Sequence, residues 1–228
     1  AASDVYKRQG LNSVLKHLPN LQLAIVGEPT EMQLAIAEKG LLVLDVVVSG
    51  IPGHAAHPND DVSIYNAIPV IEWFRDYRYE KVSEVLGPMK MTVTGTTAGK
   101  QHNVIPAECS LVVDVRVNDC YTNVEVLEII RAELFAKFGD KVKVNPRSLH
   151  LNSSRIDKDH ALVQAGVALG RTTYGSPTLS DQSVLSCQSL KLGPGYSPRS
   201  HSADEFIFLH EIEEGIDLYI KILTSFLK

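Results

Sequence analysis

Two rhythms of apolar residues alternate along the chain. Residues 41–49, LLVLDVVVS, are rich in β-branched side chains and predict a strand. In 61–76, DVSIYNAIPVIEWFRD, the positions Ile64, Ile68, Ile71 and Phe74 recur at helical spacing and predict a helix, with a kink at Pro69. Residues 89–97 and 109–117 predict two further strands. Thr122 and Glu125 spell a capping box, T-N-V-E, opening a helix that runs to about Phe138 and stops at Gly139. Residues 141–145, KVKVN, close the series as a short strand. The order over 41–145 is β-α-β-β-α-β, the ferredoxin-like split pattern of one sheet with two helices on one face.

The flanks follow a different pattern. Leu21, Leu23, Ala24, Ile25 and Val26 form an apolar run that ends in Gly27, as expected of a parallel strand covered on both faces. Residues 158–169 predict a helix stopped by Gly170. SPTLSDQSVLSC predicts a turn and then a helix capped near Ser180, and LKLGPG a short strand entering a Gly/Pro loop. The last helix, 209–227, carries Ile212, Ile216, Tyr219, Ile220, Leu223 and Leu227 on one face. Segments 10–40 and 146–228 therefore read as parts of one α/β domain interrupted by the 41–145 module, with one side of its sheet unfilled. Residues 1–9, AASDVYKRQ, lack the apolar core of a signal peptide and match the translation of a common transposon-based sequencing adapter. They are expected to be non-native, with the natural protein continuing upstream.

Composition narrows the class. With 44% hydrophobic and 21% charged residues, the 228-residue chain has the balance of a soluble globular protein, long enough for one large domain or two small ones. Its 22 basic and 27 acidic residues give a net charge of −5, which offers no electrostatic footprint for nucleic acid or an anionic membrane. No run approaches the ~18 apolar residues of a membrane span. The three cysteines, Cys109, Cys120 and Cys187, are odd in number and lack zinc-ribbon spacing. They point to free thiols in a reducing, cytoplasmic compartment.

Four local features could carry chemistry. Glu28 follows a strand at the kind of edge where open α/β sheets collect ligands; it is a functional acid or a solvated loop residue. His54 lies in GIPGHAAHP with His57 three residues on; Gly53 and Pro58 argue against a helical zinc pair, which leaves His54 as a substrate-facing loop histidine. Asn103 in QHNVIPAE and Arg116 in VVDVRV fit a turn residue and an ion-paired residue, or, for the arginine, a bidentate carboxylate clamp. His201 lies in the loop GPGYSPRSHSADEF, and a neutral imidazole beside a carboxylate such as Glu28 is a familiar metal donor set.

In this order VGEPT, SGIPGHAAHP, QHNVIPAE, SPTLSDQ and GPGYSPRSHSADEF resemble the di-zinc amidohydrolase and peptidase family of acetylornithine deacetylase, succinyl-diaminopimelate desuccinylase, aminoacylase-1 and carboxypeptidase G2. The resemblance covers about residues 10–228, and IAEKG and LNSSRID look most like acetylornithine deacetylases. It implies an α/β fold: the C-terminal half of a doubly wound zinc-hydrolase domain with an inserted ferredoxin-like βαββαβ lid and dimerisation domain. It implies that Glu28 and His201 each ligate one of two Zn²⁺ ions, with cobalt or manganese as substitutes. His54 would stabilise the oxyanion in the partner subunit of a homodimer. Asn103 and Arg116 would bind the substrate carboxylate or tetrahedral intermediate, and Ser180 and Gly193 would line the pocket. The expected substrate is an N-acyl amino acid in arginine biosynthesis, N-acetylornithine or a close relative. A dipeptidase of the same family or a non-catalytic dimerisation module are the alternatives. The family's His-x-Asp motif, metal-bridging Asp and Glu-Glu pair belong before residue 10 and have no counterpart in this chain, so the chain alone is expected to be inactive.

Overall fold

The structure, a computed structural model, describes residues 9–200 and 202–227. The adapter-like stretch therefore lies outside the described residues except for Gln9, and His201 lies wholly outside them. In chain order the elements are helix α1 (Gln9–Leu15) and strands β1 (Leu23–Val26), β2 (Leu34–Glu38), β3 (Gly40–Ser49) and β4 (Gly53–His54). Helix α2 (Ser63–Asp76) leads to β5 (Lys90–Ala98), β6 (Val104–Ile105) and β7 (Glu108–Val117). Helix α3 (Asn123–Phe138), β8 (Val142–Pro146), β9 (Ser154–Arg155), α4 (Ala161–Ala168), β10 (Thr173–Ser176), β11 (Gln188–Lys191) and α5 (Leu209–Phe226) complete the chain. None of the described helices is long and apolar enough to cross a membrane.

The chain divides into two compact units. One comprises Gly40–Ser83 and Gly87–Asn152. Its four-stranded sheet has the order β5-β7-β3-β8 with every neighbour antiparallel, the split βαβ arrangement expected of the β-α-β-β-α-β order. Strict alternation sets one face of that sheet. On β3, Leu42, Leu44, Val46 and Val48 are buried; on β7, Cys109, Leu111, Val113, Val115 and Val117 are. Against them pack Ala67, Val70, Trp73 and Phe74 of α2 and Val126, Leu127, Ile130 and Leu134 of α3. Burial pushes the Cys109 thiol pKa up, as suits a packing residue rather than a reactive one.

Helix α3 begins as its sequence predicts. Thr122 Oγ1 accepts from the Glu125 amide at 3.2 Å while the Glu125 carboxylate accepts from the Thr122 amide at 2.7 Å. That backbone donor, followed by the Thr122 hydroxyl, holds the Glu125 carboxyl below the usual carboxylate range. A lowered pKa adds stability above the ordinary glutamate range, and the contribution is lost as pH falls through the lowered value. Replacing Thr122 by Ala is expected to cost about 1 kcal/mol in urea unfolding at neutral pH, and less at pH 3.

Buried Asn123 ties together the first and last segments of this unit. Its Nδ2 donates to the carbonyls of Leu41, Leu149 and Leu151 at 3.3, 3.4 and 3.0 Å, and the Leu41 amide bonds to the Leu151 carbonyl at 2.9 Å.

Helix α2 differs from expectation in the face it buries. Ile64 and Ile68 are exposed, and the buried stripe is Ser63, Ala67, Val70, Trp73 and Phe74. The helix is apolar around much of its circumference, so spacing alone does not choose between adjacent stripes, and the sheet selects the one that carries Trp73. The helix also continues through Pro69.

The other unit comprises the described residues up to Lys39, Glu84–Leu86, and those from Ser153 on. Its sheet runs β1-β11-β2-β10, with β9 also on β2. β1 is parallel to β11 and β10 to β2, while β11 and β2 meet antiparallel. Leu34, Ile36, Leu190 and Leu192 of this sheet pack with Ile156, Leu162, Val163 and Ile222. β1 is parallel as expected, but it lies at the edge of the described sheet and is only half-buried. Ser180 caps a short 3₁₀ turn, Asp181–Val184, where a longer helix was expected. On α5 the core takes Gly215 and Ile222 and leaves Ile212, Ile216 and Ile220 exposed, so most of the expected apolar face has no cover among the described residues.

Candidate functional site

Glu28 sits just past the C-terminal end of β1, and Gly193 just past that of β11. The two strands are parallel, with Val26 opposite Lys191, and the ladder extends by a bond from the Leu192 amide to the Val26 carbonyl at 3.1 Å. The two following loops are then stitched together. Thr30 and Met32 donate their amides to the Gly193 carbonyl at 3.1 and 3.0 Å, Glu31 donates to the Gly195 carbonyl at 2.8 Å, and the Gly193 amide donates to Thr30 Oγ1 at 3.1 Å. The approach requires glycine: a Cβ at Gly193 would stand 2.6 Å from the Glu28 carbonyl oxygen. Glu31 and Met32 both take left-handed backbone angles, with φ of 53° and 56°, to turn the chain from this junction into β2. The backbone of the partly buried Glu28 is thus held at the strand-end edge beside the Gly193–Gly195 loop.

That loop leads to a clamp on either side of position 201. Arg199 Nη1 donates to both Glu211 carboxylate oxygens, at 2.9 and 2.7 Å. The guanidinium also lies over the rings of Phe206 and Phe208, 4.9 Å from each centroid. The Phe208 amide first, and then Arg199, hold the Glu211 carboxyl below its usual range. Among the described residues no group of three His, Cys, Asp or Glu side chains forms a metal cluster. Glu28 is a suitable hard oxygen donor for a divalent metal, but the described donor set fits only part of a binuclear centre.

In the inserted unit His54 and Asn103 come together. β4 and β6 form a two-residue ribbon that pairs His54 with Val104, and the Ala55 amide bonds to the Asn103 carbonyl at 3.0 Å. His54 Nδ1 accepts the Ala56 amide at 3.1 Å, so a neutral ring carries its proton on Nε2, as an outward donor. His57 packs near by, with the ring centroids 5.5 Å apart. Gly50 lets this loop fold against the start of α2: a Cβ there would meet the Ser63 nitrogen at 2.4 Å.

Arg116 stands apart from that pair. It lies opposite Leu41 at the start of β3, whereas His54 follows Ser49 at its end. Those eight steps correspond to about 27 Å of strand. Its guanidinium is paired with Asp114 on the same strand face, at 2.8 and 3.0 Å. Ser180 is 5% exposed, and its hydroxyl donates to Glu38 at 2.7 Å.

Glu38 and Lys191 form a feature that sequence reasoning missed. They are 0% and 3% exposed and paired at 2.8 Å. The available signal was a charge of each sign at the end of an apolar run, LAIAE and SLK.

Residues 36–142 match the family model M20_dimer, the peptidase dimerisation domain. The match takes in most of the inserted unit. The chain is 24% identical over 223 residues to succinyl-diaminopimelate desuccinylase 2 of Ruegeria sp. (strain TM1040), covering 89% of this chain and 55% of that protein. It is 26% identical over 218 residues to acetylornithine deacetylase of Proteus mirabilis, covering 89% and 56% respectively. A Bacillus subtilis protein described as a dinuclear metal-binding peptidase of the M20 family superposes with a TM-score of 0.63 at 13% identity, over 95% of this chain and 60% of that one. The likeness thus extends on both sides of the matched segment. The chain spans a little over half the length of these curated relatives.

Proposed function

We propose that the complete protein is a metal-dependent, cytoplasmic amidohydrolase that removes the acyl group from an N-acyl amino acid, N-acetylornithine or a close relative, and acts as a homodimer through its dimerisation domain. The observation that carries this reading is the junction of Glu28 with the Gly193–Gly195 loop at the ends of parallel β1 and β11. Relatives named as a deacetylase and a desuccinylase supply the reaction class.

In this reading Glu28 and His201 each hold one metal, zinc in the first instance, with cobalt or manganese accepted by the same ligands. Bound metals would polarise the amide carbonyl and lower the pKa of a water. The chain's own residues do the rest. His54, with its proton on Nε2, donates to the oxygen on which negative charge develops, in the partner subunit's site. Asn103, adjacent on the same ribbon, orients the substrate. Arg116 offers a planar fork to a carboxylate in competition with Asp114. Gly193 keeps the pocket wall close to Glu28, and Ser180 braces the turn beside it.

Metal content and turnover of the complete protein test the reading. His201→Ala is expected to lower bound zinc from two ions to one per chain. His54→Ala is expected to keep both and to reduce kcat by about 10²–10³-fold. Full metal content in the His201 variant would refute its role as a ligand. The 228-residue chain by itself is expected neither to retain stoichiometric zinc nor to hydrolyse substrate, and zinc analysis after gel filtration checks this. A panel of N-acyl amino acids and dipeptides separates a deacylase from an exopeptidase.

A further inference from the structure

The loop that carries His54 leaves β3 at Gly50 and enters α2 at Ser63, and its two legs are fastened to each other. The Ile51 amide donates to the Asp61 carbonyl at 2.7 Å, Asn59 Nδ2 donates to the Ile51 carbonyl at 2.7 Å, and Asn59 Oδ1 accepts the Asp61 amide at 2.8 Å. The Gly50 amide donates to the Ala107 carbonyl and Ser63 Oγ to the Pro106 carbonyl, each at 2.8 Å, so both legs also lean on the segment that enters β7. At the tip, the His57 amide closes a turn on the His54 carbonyl at 3.0 Å.

Asn66, near the start of α2, joins the two legs. Its Nδ2 donates to the Ser49 carbonyl at 3.0 Å and to Asp61 Oδ1 at 2.6 Å. Both partners are acceptors, so both hydrogens of the amide are committed and its orientation is fixed. The bond to Asp61 is charge-assisted. Lys141 Nζ reaches the same Asp61 oxygen at 2.8 Å, but that lysine is half exposed and the pair adds little by itself. The next residue, Ala67, is buried in the core against the sheet. One side chain on a packed helix thus holds the residue before the loop and a residue near its end.

His54 itself sits on a two-residue ribbon, and so short a pair of strands is not stable unaided. A donor displaced by about 1 Å can lose about 100-fold in rate, so the placing of this loop matters more than its net stability.

We propose that Asn66 and Asp61 are positioning residues: they clasp both legs of the His54 loop to α2 and so fix the direction of its Nε2–H donor. The service of the clasp to catalysis rests on the role of His54 proposed above; the clasp itself does not.

The test uses Asn66→Asp, which keeps the shape and sets an oxygen against two acceptors. In the 228-residue chain the Ile51 amide is expected to exchange with solvent about tenfold faster or more, with the β3 amides that pair with β7 unchanged. The swapped pair Asn66→Asp/Asp61→Asn, in which position 61 donates and position 66 accepts, is expected to recover part of that protection. In the complete protein Asn66→Asp is expected to lower kcat about tenfold with KM within about threefold. Added to His54→Ala, it is expected to change kcat by less than about twofold, because the donor it positions is already gone.

Unchanged Ile51 exchange, or no recovery in the swapped pair, overturns the clasp. Faster exchange with an unaltered kcat overturns the positioning role, and so does a full tenfold loss on top of His54→Ala. A kcat that survives His54→Ala overturns the role of His54 and the positioning role with it, while the exchange result still decides the clasp. Should Asn66→Asp not fold, Asn66→Ala, which removes the donors without adding a charge, carries the same readouts.

Discussion

Replacing Gly193 by Ala is expected to destabilise the protein by about 2–4 kcal/mol, among the larger effects of a single methyl group. The added Cβ would lie 2.6 Å from the Glu28 carbonyl oxygen and 3.1 Å from its nitrogen, and both are backbone atoms. Neither side can easily retreat. The Gly193 carbonyl accepts two amides, Thr30 and Met32, and the Gly193 amide is bonded to Thr30 Oγ1. Relief of the clash therefore means breaking the stitches that place Glu28. Urea unfolding of Gly193→Ala beside Gly27→Ala provides the check. A Cβ at Gly27 meets nothing within 4 Å, and that variant is expected to stay within about 0.5 kcal/mol of the unmodified chain. Equal midpoints for the two variants would contradict the account of the junction.

The second large effect is expected from Lys191→Met alone. It leaves the Glu38 carboxylate 0% exposed and without the ammonium that pairs with it, while the Ser180 amide and hydroxyl still donate to it. Removing one partner of a buried pair costs about 3–5 kcal/mol, most of it the penalty of an uncompensated charge. The paired variant Glu38→Gln/Lys191→Met removes that charge and is expected to recover more than half of the loss. The remainder reflects the hydrogen bonds of Ser176, Thr178 and Ser180 that lose their ionic partners. Denaturant midpoints of the three proteins at one pH give a double-mutant cycle. Additive losses would show that the two charges act independently.

Regular alternation made the βαββαβ unit legible in the sequence. A ten-residue strand with every second side chain buried, and a helix opened by a reciprocal cap, leave little choice of element or register. Other elements were hidden for physical reasons. β2 is buried along its whole length, so LAIAE shows no period, and its role depends on partners far away in sequence. The β4–β6 ribbon is two residues long, too short for an alternating pattern to show in the sequence. The faces of α2 and α5 were misplaced because each helix carries apolar residues on adjacent stripes. Of the candidate site, the backbones of Glu28 and Gly193 meet and His54 lies beside Asn103, pairings that follow from strand neighbours far apart in sequence and could not be read from either motif alone. Arg116 was placed with them by motif order alone, and antiparallel pairing carries it to the far end of the sheet.

Asn123 has a consequence for how such a module can be handled by evolution or by design. Because its amide gathers the carbonyls of Leu41, Leu149 and Leu151, the polypeptide enters and leaves the βαββαβ unit at neighbouring points. A cassette with adjoining ends can be spliced into a host loop without a long bridge, and exchanging it means replacing Glu84–Leu86, which belong to the other unit, as well.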